Sequence, residues 1–443
     1  MSYRRNLLHI ICHDLGRHLH CYGRPDVESP NLDALAAEGV RFEHCYTASP
    51  PCSPARSCIM TGRYAHSSGQ IGLAHRGFGL PESQRTLVDY LNDAGYLTAN
   101  IGLQHERVDP MANRYQFDDH ETANCEVVAE KAARFFANHR GQQGAPFYFN
   151  LGFSEVHLPF TRPEYRPDDR TPRICACANA PSSVCVPGWL PDNQGVREEL
   201  ARFNGCIRFM DEAVGRILQA LEESRLDRNT LVLFTTDHGI AFPRAKGTLY
   251  DPGIGTALIL RRPKEEGRDR RAVSDLISSI DIAPTLLEAA GVAAPAEMQG
   301  RSFLRLLTGE AYEPRECVFS EKNFHDCYDP VRAVRTGRYK YLRSFERRRN
   351  IVLASDLQRS SASAEMWPWA RRARPAEELY DLEADPWEMH NLAGRPEVAA
   401  VRAGLAQRVV QWMTDTDDPL LRGALTAPAG ARVDPPEPVE EDG

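Results

Sequence analysis

Short apolar runs alternate with longer amphipathic stretches through the first two-thirds of the chain. The short runs are typical of buried strands, whereas the longer stretches repeat their apolar residues at helical spacing. The predicted strands cover residues 7–12, 97–102, 147–153, 230–236 and 257–260. Helices are predicted over residues 30–38, where Pro30 lies in the first turn, and over residues 195–224. This order predicts an α/β fold with a mixed, mostly parallel sheet flanked by helices.

The pattern changes after residue 314. Short β-type runs follow, and then a helix, at residues 317–320, 331–336, 339–342 and 396–414. They predict a smaller C-terminal antiparallel α+β subdomain. We therefore divide the chain into a catalytic domain (1–312), this subdomain (313–426) and a tail (427–443). The tail is rich in Pro, Glu and Asp, a composition that predicts disorder.

Charge and hydropathy limit the classes of partner. The formal net charge of the 443 residues is -8, which argues against a nucleic-acid or anionic-membrane partner. The apolar run near the start is too short for a signal peptide, and no stretch approaches the roughly 20 residues of a membrane helix. We expect a cytoplasmic protein without membrane partners, which captures any small anionic substrate in a local basic pocket. The sequence is compatible with a homo-oligomer and does not fix the oligomeric state.

Twelve cysteines are scattered along the chain, and Cys175, Cys177 and Cys185 form the tightest group. A structural zinc site needs a fourth ligand, and none follows at a suitable spacing. We interpret these three as structural thiols.

One segment combines residue types that suit nucleophilic chemistry. Cys52-Ser53-Pro54-Ala55-Arg56 is followed after a short apolar step by Thr61-Gly62. Pro54 favours the first turn of a helix, so Cys52 is expected at the helix N-terminus, where free N–H groups favour an oxyanion. Arg56 lies one turn further on the same face. The alternative is a buried cysteine at an ordinary helix start.

Polar residues follow two of the predicted strands. His13 and Asp14 come after the first strand, and Asp237 and His238 follow the strand at 230–236. Because the carboxyl ends of parallel strands meet at one edge of a sheet, we expect these side chains to lie together. If this cluster binds one divalent metal ion, its two carboxylates and two imidazoles make manganese, zinc or iron rivals to calcium. His13 either binds the metal or donates a hydrogen bond from outside it.

Together these motifs resemble the formylglycine-dependent sulfatases of the alkaline-phosphatase-like superfamily, whose signature is C-x-P-x-R followed by T-G. Residues 239–243 and 249–253 are similar to the heparan N-sulfatase (N-sulfoglucosamine sulfohydrolase) group. The resemblance implies an alkaline-phosphatase-like sheet and usually calcium as the metal. It also implies a formylglycine-generating enzyme as a partner that oxidises Cys52, whose hydrated aldehyde then attacks sulfur.

The resemblance assigns further catalytic residues. Arg56 and Lys246 would bind the activated side chain or sulfate oxygens, His157 would protonate the leaving atom, and His105 would help to release sulfate. Two positions depart from the family pattern. His13 replaces an acid, and Leu103 occupies the position of a sulfate-binding lysine, so we expect Arg107 or Arg244 to supply the missing charge.

The sequence thus predicts a metal-dependent enzyme that hydrolyses a sulfate ester or sulfamate, with a sulfated sugar as the expected substrate. The first alternative is a phosphonate monoester or phosphodiester hydrolase of the same superfamily, suggested by Asp237-His238 and by Leu103. The second is a catalytically inactive, sulfatase-like binding protein.

Overall fold

A computed structural model describes residues 4–139, 144–160, 178–267, 271–364 and 366–440 of the chain. Cys175 and Cys177 lie outside the described residues, and Cys185 is an exposed free thiol. Within the described part of the chain, no helix is both long and apolar enough to cross a membrane.

The described chain folds into two sheets with helices around them. The large sheet contains β1 (Asn6–Cys12), β2 (Val40–Tyr46), β3 (Leu97–Gly102), β4 (Phe117–Asp119), β5 (Phe147–Gly152), β6 (Thr230–Thr236), β7 (Gly255–Thr256), β8 (Leu258–Arg261) and β9 (Arg271–Ser278). The small sheet contains β10 (Cys317–Phe324), β11 (Tyr328–Thr336), β12 (Tyr339–Ser344) and β13 (Glu377–Asp381). The helices are α1 (Pro30–Glu38), α2 (Cys52–Thr61), α3 (Ala65–Ser68), α4 (Leu87–Asp93), α5 (Cys125–His139), α6 (Gln194–Glu223), α7 (Asp251–Ile254), α8 (Ile282–Ala289), α9 (Leu304–Thr308), α10 (Ser361–Ala364) and α11 (Ala399–Asp415).

The large sheet is mixed and mostly parallel, as the sequence predicted. Its strand order is β4-β3-β5-β1-β6-β8-β2-β7, and β9 pairs in parallel with β2. β1 lies between β5 and β6 and runs parallel to both. The predicted strand at 257–260 corresponds to β8, which is antiparallel to β6. The carboxyl ends of β1 and β6 therefore meet at one edge of the sheet.

Both faces of the large sheet are buried, and the side chains of β1 point alternately to one face and the other. Leu8 and Ile10 join a core with apolar residues of α1, α5 and α6. Leu7 and Ile11 point to the opposite face and join a second core with α2, α4 and α8. A strand that is apolar on both faces can only be central in such a layered fold, which gives residues 13 and 14 a rigid support.

The small sheet is antiparallel, in the order β10-β11-β12-β13. It confirms the antiparallel strands that were predicted after residue 314. On one face, Val334 and Tyr341 pack in a cluster with Val409 and Trp412 of α11. On the other face, a separate apolar cluster includes Tyr46 of the large sheet. The small sheet is thus packed directly against the catalytic part of the chain.

The prediction of a disordered tail differs from the structure. In residues 427–440, the Arg432 N–H donates to the Arg76 carbonyl at 2.8 Å, and the Asp434 carboxylate lies 2.6 Å from the Arg76 guanidinium. Glu437 pairs with Arg349 at 2.6 Å. The prediction from composition differs because the acidic residues of this segment form ion pairs with arginines on the body of the protein instead of remaining solvated.

Candidate active site

The ends of β1 and β6 bring His13, Asp14, Asp237 and His238 together. Cys12 and Thr236 are paired in the sheet, so the residues that follow them emerge side by side. The Asp14 N–H donates to Asp237 Oδ1 at 3.0 Å, and the same oxygen accepts the His238 N–H at 2.9 Å. Both carboxylates are fully buried.

These side chains fit a divalent metal ion. One donor atom from each of His13, Asp14, Cys52, Asp237 and His238 lies within 4.8 Å of all the others. Asp14 Oδ1 is buried, and its neighbours His13 Nδ1, at 2.9 Å, and His238 Nε2, at 3.2 Å, are not aligned for hydrogen bonds with it, so a metal ion would complete its coordination. Burial lowers the pKa of His238, but the charge of Asp237 outweighs burial and raises the pKa to about 9. A metal ion would displace the Nε2 proton and leave Nδ1 to donate to the Gly239 carbonyl, 3.0 Å away.

His13 lies between the two carboxylates. Its Nδ1 is 2.8 Å from Asp237 Oδ2 and 2.9 Å from Asp14 Oδ1. Burial lowers the pKa of His13, but the charges of Asp237 and Asp14 outweigh burial and raise it well above its ordinary value. The position fits either sequence hypothesis, metal ligand or hydrogen-bond donor.

Cys52 is the first residue of α2, as its sequence motif predicted. Its side chain is buried, and Sγ lies 3.3 Å from His238 Nε2. Burial raises the pKa of this thiol, but the nearby cations of Lys246, His13 and His238 hold it well below its ordinary value. The surroundings therefore favour an anionic atom at position 52.

Arg56 lies one helical turn after Cys52 and is buried beneath it. Its Nε donates to Asp237 Oδ2 at 3.2 Å, and a terminal nitrogen donates to the Cys12 carbonyl at 3.2 Å. The guanidinium thus binds a carboxylate of the candidate metal site and the end of β1.

Lys246 connects the carboxylate cluster to the opposite wall of the site. Its Nζ lies 2.7 Å from Asp14 Oδ2, 2.9 Å from His157 Nε2 and 2.5 Å from Asp356 Oδ2. Burial lowers the pKa of Lys246, but Asp14 and Cys52 outweigh it and raise the pKa. Burial and Lys246 lower the pKa of His157, so that ring is neutral and accepts from the ammonium.

His105 is also close to these groups. Its Nε2 lies 3.4 Å from His75 Nδ1, and its ring centroid lies 6.0 Å from that of His13. Burial, the main cause, lowers the pKa of His105 to about 3. A neutral imidazole at this place can accept a proton.

Comparison with known families shows the family to which the chain belongs. Residues 5–292, well over half of the chain, match the family model described as Sulfatase. This chain belongs to the sulfatase family. Residues 239–366 of this sulfatase also match the model described as N-sulphoglucosamine sulphohydrolase, C-terminal.

Relatives cover this sulfatase almost from end to end. An ulvan-active sulfatase of Formosa agariphila is 30% identical over 94% of this chain and 76% of its own length. The N-sulphoglucosamine sulphohydrolase of Homo sapiens is 27% identical over 94% of this chain and 91% of its own length.

Solved structures confirm the fold. The putative sulfatase yidJ from Bacteroides fragilis has a TM-score of 0.75 and 22% identity, with 96% of this chain and 98% of its own covered. The phosphonate monoester hydrolase of Agrobacterium radiobacter has a TM-score of 0.72 and 22% identity, with 93% and 96% covered. At this identity both show the fold alone, which is the alkaline-phosphatase-like fold that the motifs implied.

The expectation that Arg107 or Arg244 replaces the lysine missing at Leu103 is wrong. Arg107 donates to the carbonyls of Leu80, Pro81 and Gln84. Arg244 donates to the carbonyls of Trp387 and Glu388 and stacks on Tyr250 at 3.9 Å. Both guanidinium groups hold loops elsewhere in this sulfatase.

Sequence reasoning missed three side chains of the site. Asp356 contacts Lys246, His75 contacts His105, and His325 lies next to Gly247, the residue after Lys246. His325 and Asp356 come from the C-terminal third of the chain and His75 from a short turn, and none belongs to a motif. One signal in the sequence could have found His325. Three polar residues, Asn323, His325 and Asp326, stand at the end of β10.

Proposed function

We propose that this sulfatase hydrolyses a sulfate ester or sulfamate of a sulfated sugar, with formylglycine derived from Cys52 as the nucleophile. The supporting observation is the place of Cys52, at the first residue of α2 with Sγ 3.3 Å from His238 Nε2. A helix N-terminus surrounded by Lys246, His13 and His238 favours a developing oxyanion. Relatives named for ulvan and for N-sulphoglucosamine support a sulfated saccharide as substrate.

Asp14, Asp237 and His238, with His13 as a fourth candidate, would hold one divalent ion. When bound, such an ion would lower the pKa of the nucleophilic hydroxyl and stabilise charge on the substrate oxygens. The two imidazoles favour manganese, zinc or iron over calcium, which binds mainly oxygen ligands.

The remaining residues act on the substrate and on its protons. Lys246 binds a non-bridging oxygen of the sulfate group, since its ammonium is buried yet borders His157 and Asp356. His157 protonates the leaving oxygen or nitrogen from Nε2, after that nitrogen has taken a proton from the Lys246 ammonium, 2.9 Å away. His105, a partly exposed imidazole, accepts a proton when sulfate is released. Arg56 fixes Asp237 and so holds the ligand cluster beside Cys52.

The second candidate is a phosphonate monoester or phosphodiester hydrolase. The pair Asp237-His238 and the apolar Leu103 favour it, because the site has one fewer cation than the sulfatase pattern provides. Turnover of a sulfate monoester should be compared with that of a phosphonate monoester and a phosphodiester on one preparation. We expect the sulfate to be preferred, and preferred phosphorus turnover would overturn the proposal.

Modification of Cys52 requires its own test. Mass spectrometry of the peptide across residue 52, from cells that contain a formylglycine-generating enzyme, should show the mass loss from thiol to aldehyde. A plain thiol in active protein contradicts the mechanism. A plain thiol in protein that neither binds metal nor turns over any ester favours the inactive binding protein instead.

A further inference from the structure

Residues 427–440, the C-terminal segment, lie across two loops of the active-site wall. The Arg432 N–H donates to the carbonyl of Arg76, and the Asp434 N–H donates to the carbonyl of Asp326, both at 2.8 Å. An atom placed at the Cβ position of Gly77 would lie only 3.0 Å from Ala431 Cα, so the segment packs closely on this turn. The segment thus bridges the turn around residue 76 and the loop after β10.

A shared ion pair joins the two loops and the segment. The buried Arg76 guanidinium lies 2.6 Å from Asp326 Oδ1 and 2.6 Å from Asp434 Oδ2. The Asp434 side chain is 45% exposed, whereas that of Arg76 is 3% exposed. Hydrogen bonding to Asp434 is the main cause that raises the pKa of Arg76. Asp434 is therefore one of two carboxylates that pair with the buried Arg76 guanidinium.

Both loops carry a histidine of the site. His325 donates from Nδ1 to Asp326 Oδ2 at 2.9 Å, and its Cδ2 would lie 3.5 Å from a Cβ at Gly247, next to Lys246. Burial lowers the pKa of His325, but the hydrogen bond to Asp326 and the charge of that carboxylate outweigh burial and raise the pKa. On the other loop, His75 precedes Arg76 and reaches His105 at 3.4 Å.

We propose that Asp434 is a positioning residue that, through Arg76 and Asp326, fixes His75 beside His105 and His325 beside the turn of Lys246 and Gly247. Each loop is a short turn without an α-helix or strand of its own to hold its backbone, so its conformation depends on the contacts that it makes. Tying both to a third segment fixes that conformation before the substrate binds, so the substrate does not have to order them. The role concerns the wall of the pocket and not the reacting atoms. It rests on the proposed function only for the choice of substrate.

The test compares three substitutions and one truncation of the full chain. Asp434→Asn removes the charge, Asp434→Glu restores it, and the truncated protein ends at Val433. Glu437→Gln is the matched control, because Glu437 lies on the same segment and pairs with Arg349, away from the two loops. The substrate is the sulfate monoester, or the phosphonate monoester if the wild-type enzyme prefers it.

We expect Asp434→Asn to raise KM about threefold with little change in kcat, as loss of one partly exposed charge predicts. The truncation should raise KM about tenfold, because the backbone hydrogen bond from Asp434 to Asp326 and the ion pair of Glu437 with Arg349 are lost as well. Asp434→Glu should recover most of the wild-type KM, and Glu437→Gln should keep it. Equal KM values for Asp434→Asn, the truncation and Glu437→Gln would overturn the proposal.

Hydrogen exchange gives a second readout that needs no turnover. Exchange should accelerate at residues 74–80 and 325–330 in Asp434→Asn and in the truncated protein, and remain unchanged in Glu437→Gln. Unaltered exchange at both loops contradicts the positioning role even if the enzyme proves inactive on every ester. Failure of the proposed function is thus separated from failure of this inference.

Discussion

Lys246 illustrates, at the scale of a single residue, how a cation can serve both the metal ligands and the substrate. Its ammonium is 2% exposed and already contacts Asp14, His157 and Asp356. Asp356 is the one of these three outside the predicted site, and it is partly exposed. A sulfate group that binds Lys246 must therefore approach the carboxylate of Asp356.

Asp356→Asn should strengthen inhibition by inorganic sulfate. The substitution removes a negative charge that shares Lys246 with the incoming anion, and we expect the inhibition constant to fall about fivefold, or about 1 kcal/mol. The measurement is competitive inhibition of ester hydrolysis. Asp192→Asn, which alters an exposed ion pair with Arg197, is the control and should leave inhibition unchanged. Weaker inhibition in Asp356→Asn would show that Asp356 supports the anion instead.

Cys52→Ala should abolish activity without removing the metal site. We expect kcat to fall at least about a thousandfold, because the nucleophile is lost. His13, Asp14, Asp237 and His238 remain, so added metal should still raise the Tm. Cys58→Ala is the matched control, because Cys58 is a fully buried thiol on the same helix. Comparable activity in the two variants would remove Cys52 from the mechanism.

At the scale of elements, the ends of two neighbouring strands and the start of one helix define the site. β1 and β6 are parallel neighbours, and α2 brings Cys52 to the same edge. Parallel neighbours in a buried sheet have little freedom, so the ligands inherit a fixed spacing from the backbone. A metal ion bound there would join the two strand ends and stabilise the folded chain.

Removal of the metal should therefore lower the Tm. With free metal at one hundred times its Kd, binding contributes about 2.7 kcal/mol. We expect Mn²⁺, Fe²⁺ or Zn²⁺ to restore the Tm of chelator-treated protein more effectively than Ca²⁺, measured by calorimetry at equal concentrations. Asp14→Asn should lose this response. Full recovery with Ca²⁺ alone would refute the preference predicted from the two histidines.

At the scale of the whole molecule, buried charges join the small sheet to the catalytic part. Lys340 of β12 lies 2.9 Å from Asp251 Oδ1 and 3.0 Å from Glu388 Oε1, all of them deep inside. Asp251 and Glu388 share this one ammonium, and the pKa values of the two carboxyl groups shift in opposite directions. Burial, aided by repulsion from Asp251, raises the pKa of Glu388 to about 7, whereas Lys340 and Arg335 outweigh burial and lower that of Asp251.

This pair predicts a pH dependence of stability. The raised pKa of Glu388 contributes stability that is complete below the unfolded pKa of about 4.3 and is lost as pH rises to about 7. The loss is on the order of 3 kcal/mol. In Glu388→Gln this loss is absent, so the Tm of the variant should rise relative to wild type between pH 5 and 8. Glu383→Gln, at an exposed position, is the control. A constant Tm difference across this range contradicts the assignment.

The sequence by itself determined the features that reside in contiguous residues. Alternation and length predicted the parallel core, and Pro54 with Arg56 predicted a helix that begins at Cys52. Strand-end positions predicted that Asp14 and Asp237 meet. These inferences succeeded because backbone propensity and side-chain periodicity act over a few residues.

Only the tertiary structure decided which distant segments complete the site. It brought Asp356 to Lys246 and His325 to the neighbouring Gly247. It paired Arg107 and Arg244 with loop carbonyls, and it attached residues 427–440 to the body of the protein. Composition misjudged that segment because composition measures average burial and not specific ion pairs. Contacts between residues hundreds of positions apart depend on how the two sheets pack, and no local pattern of the chain carries that information.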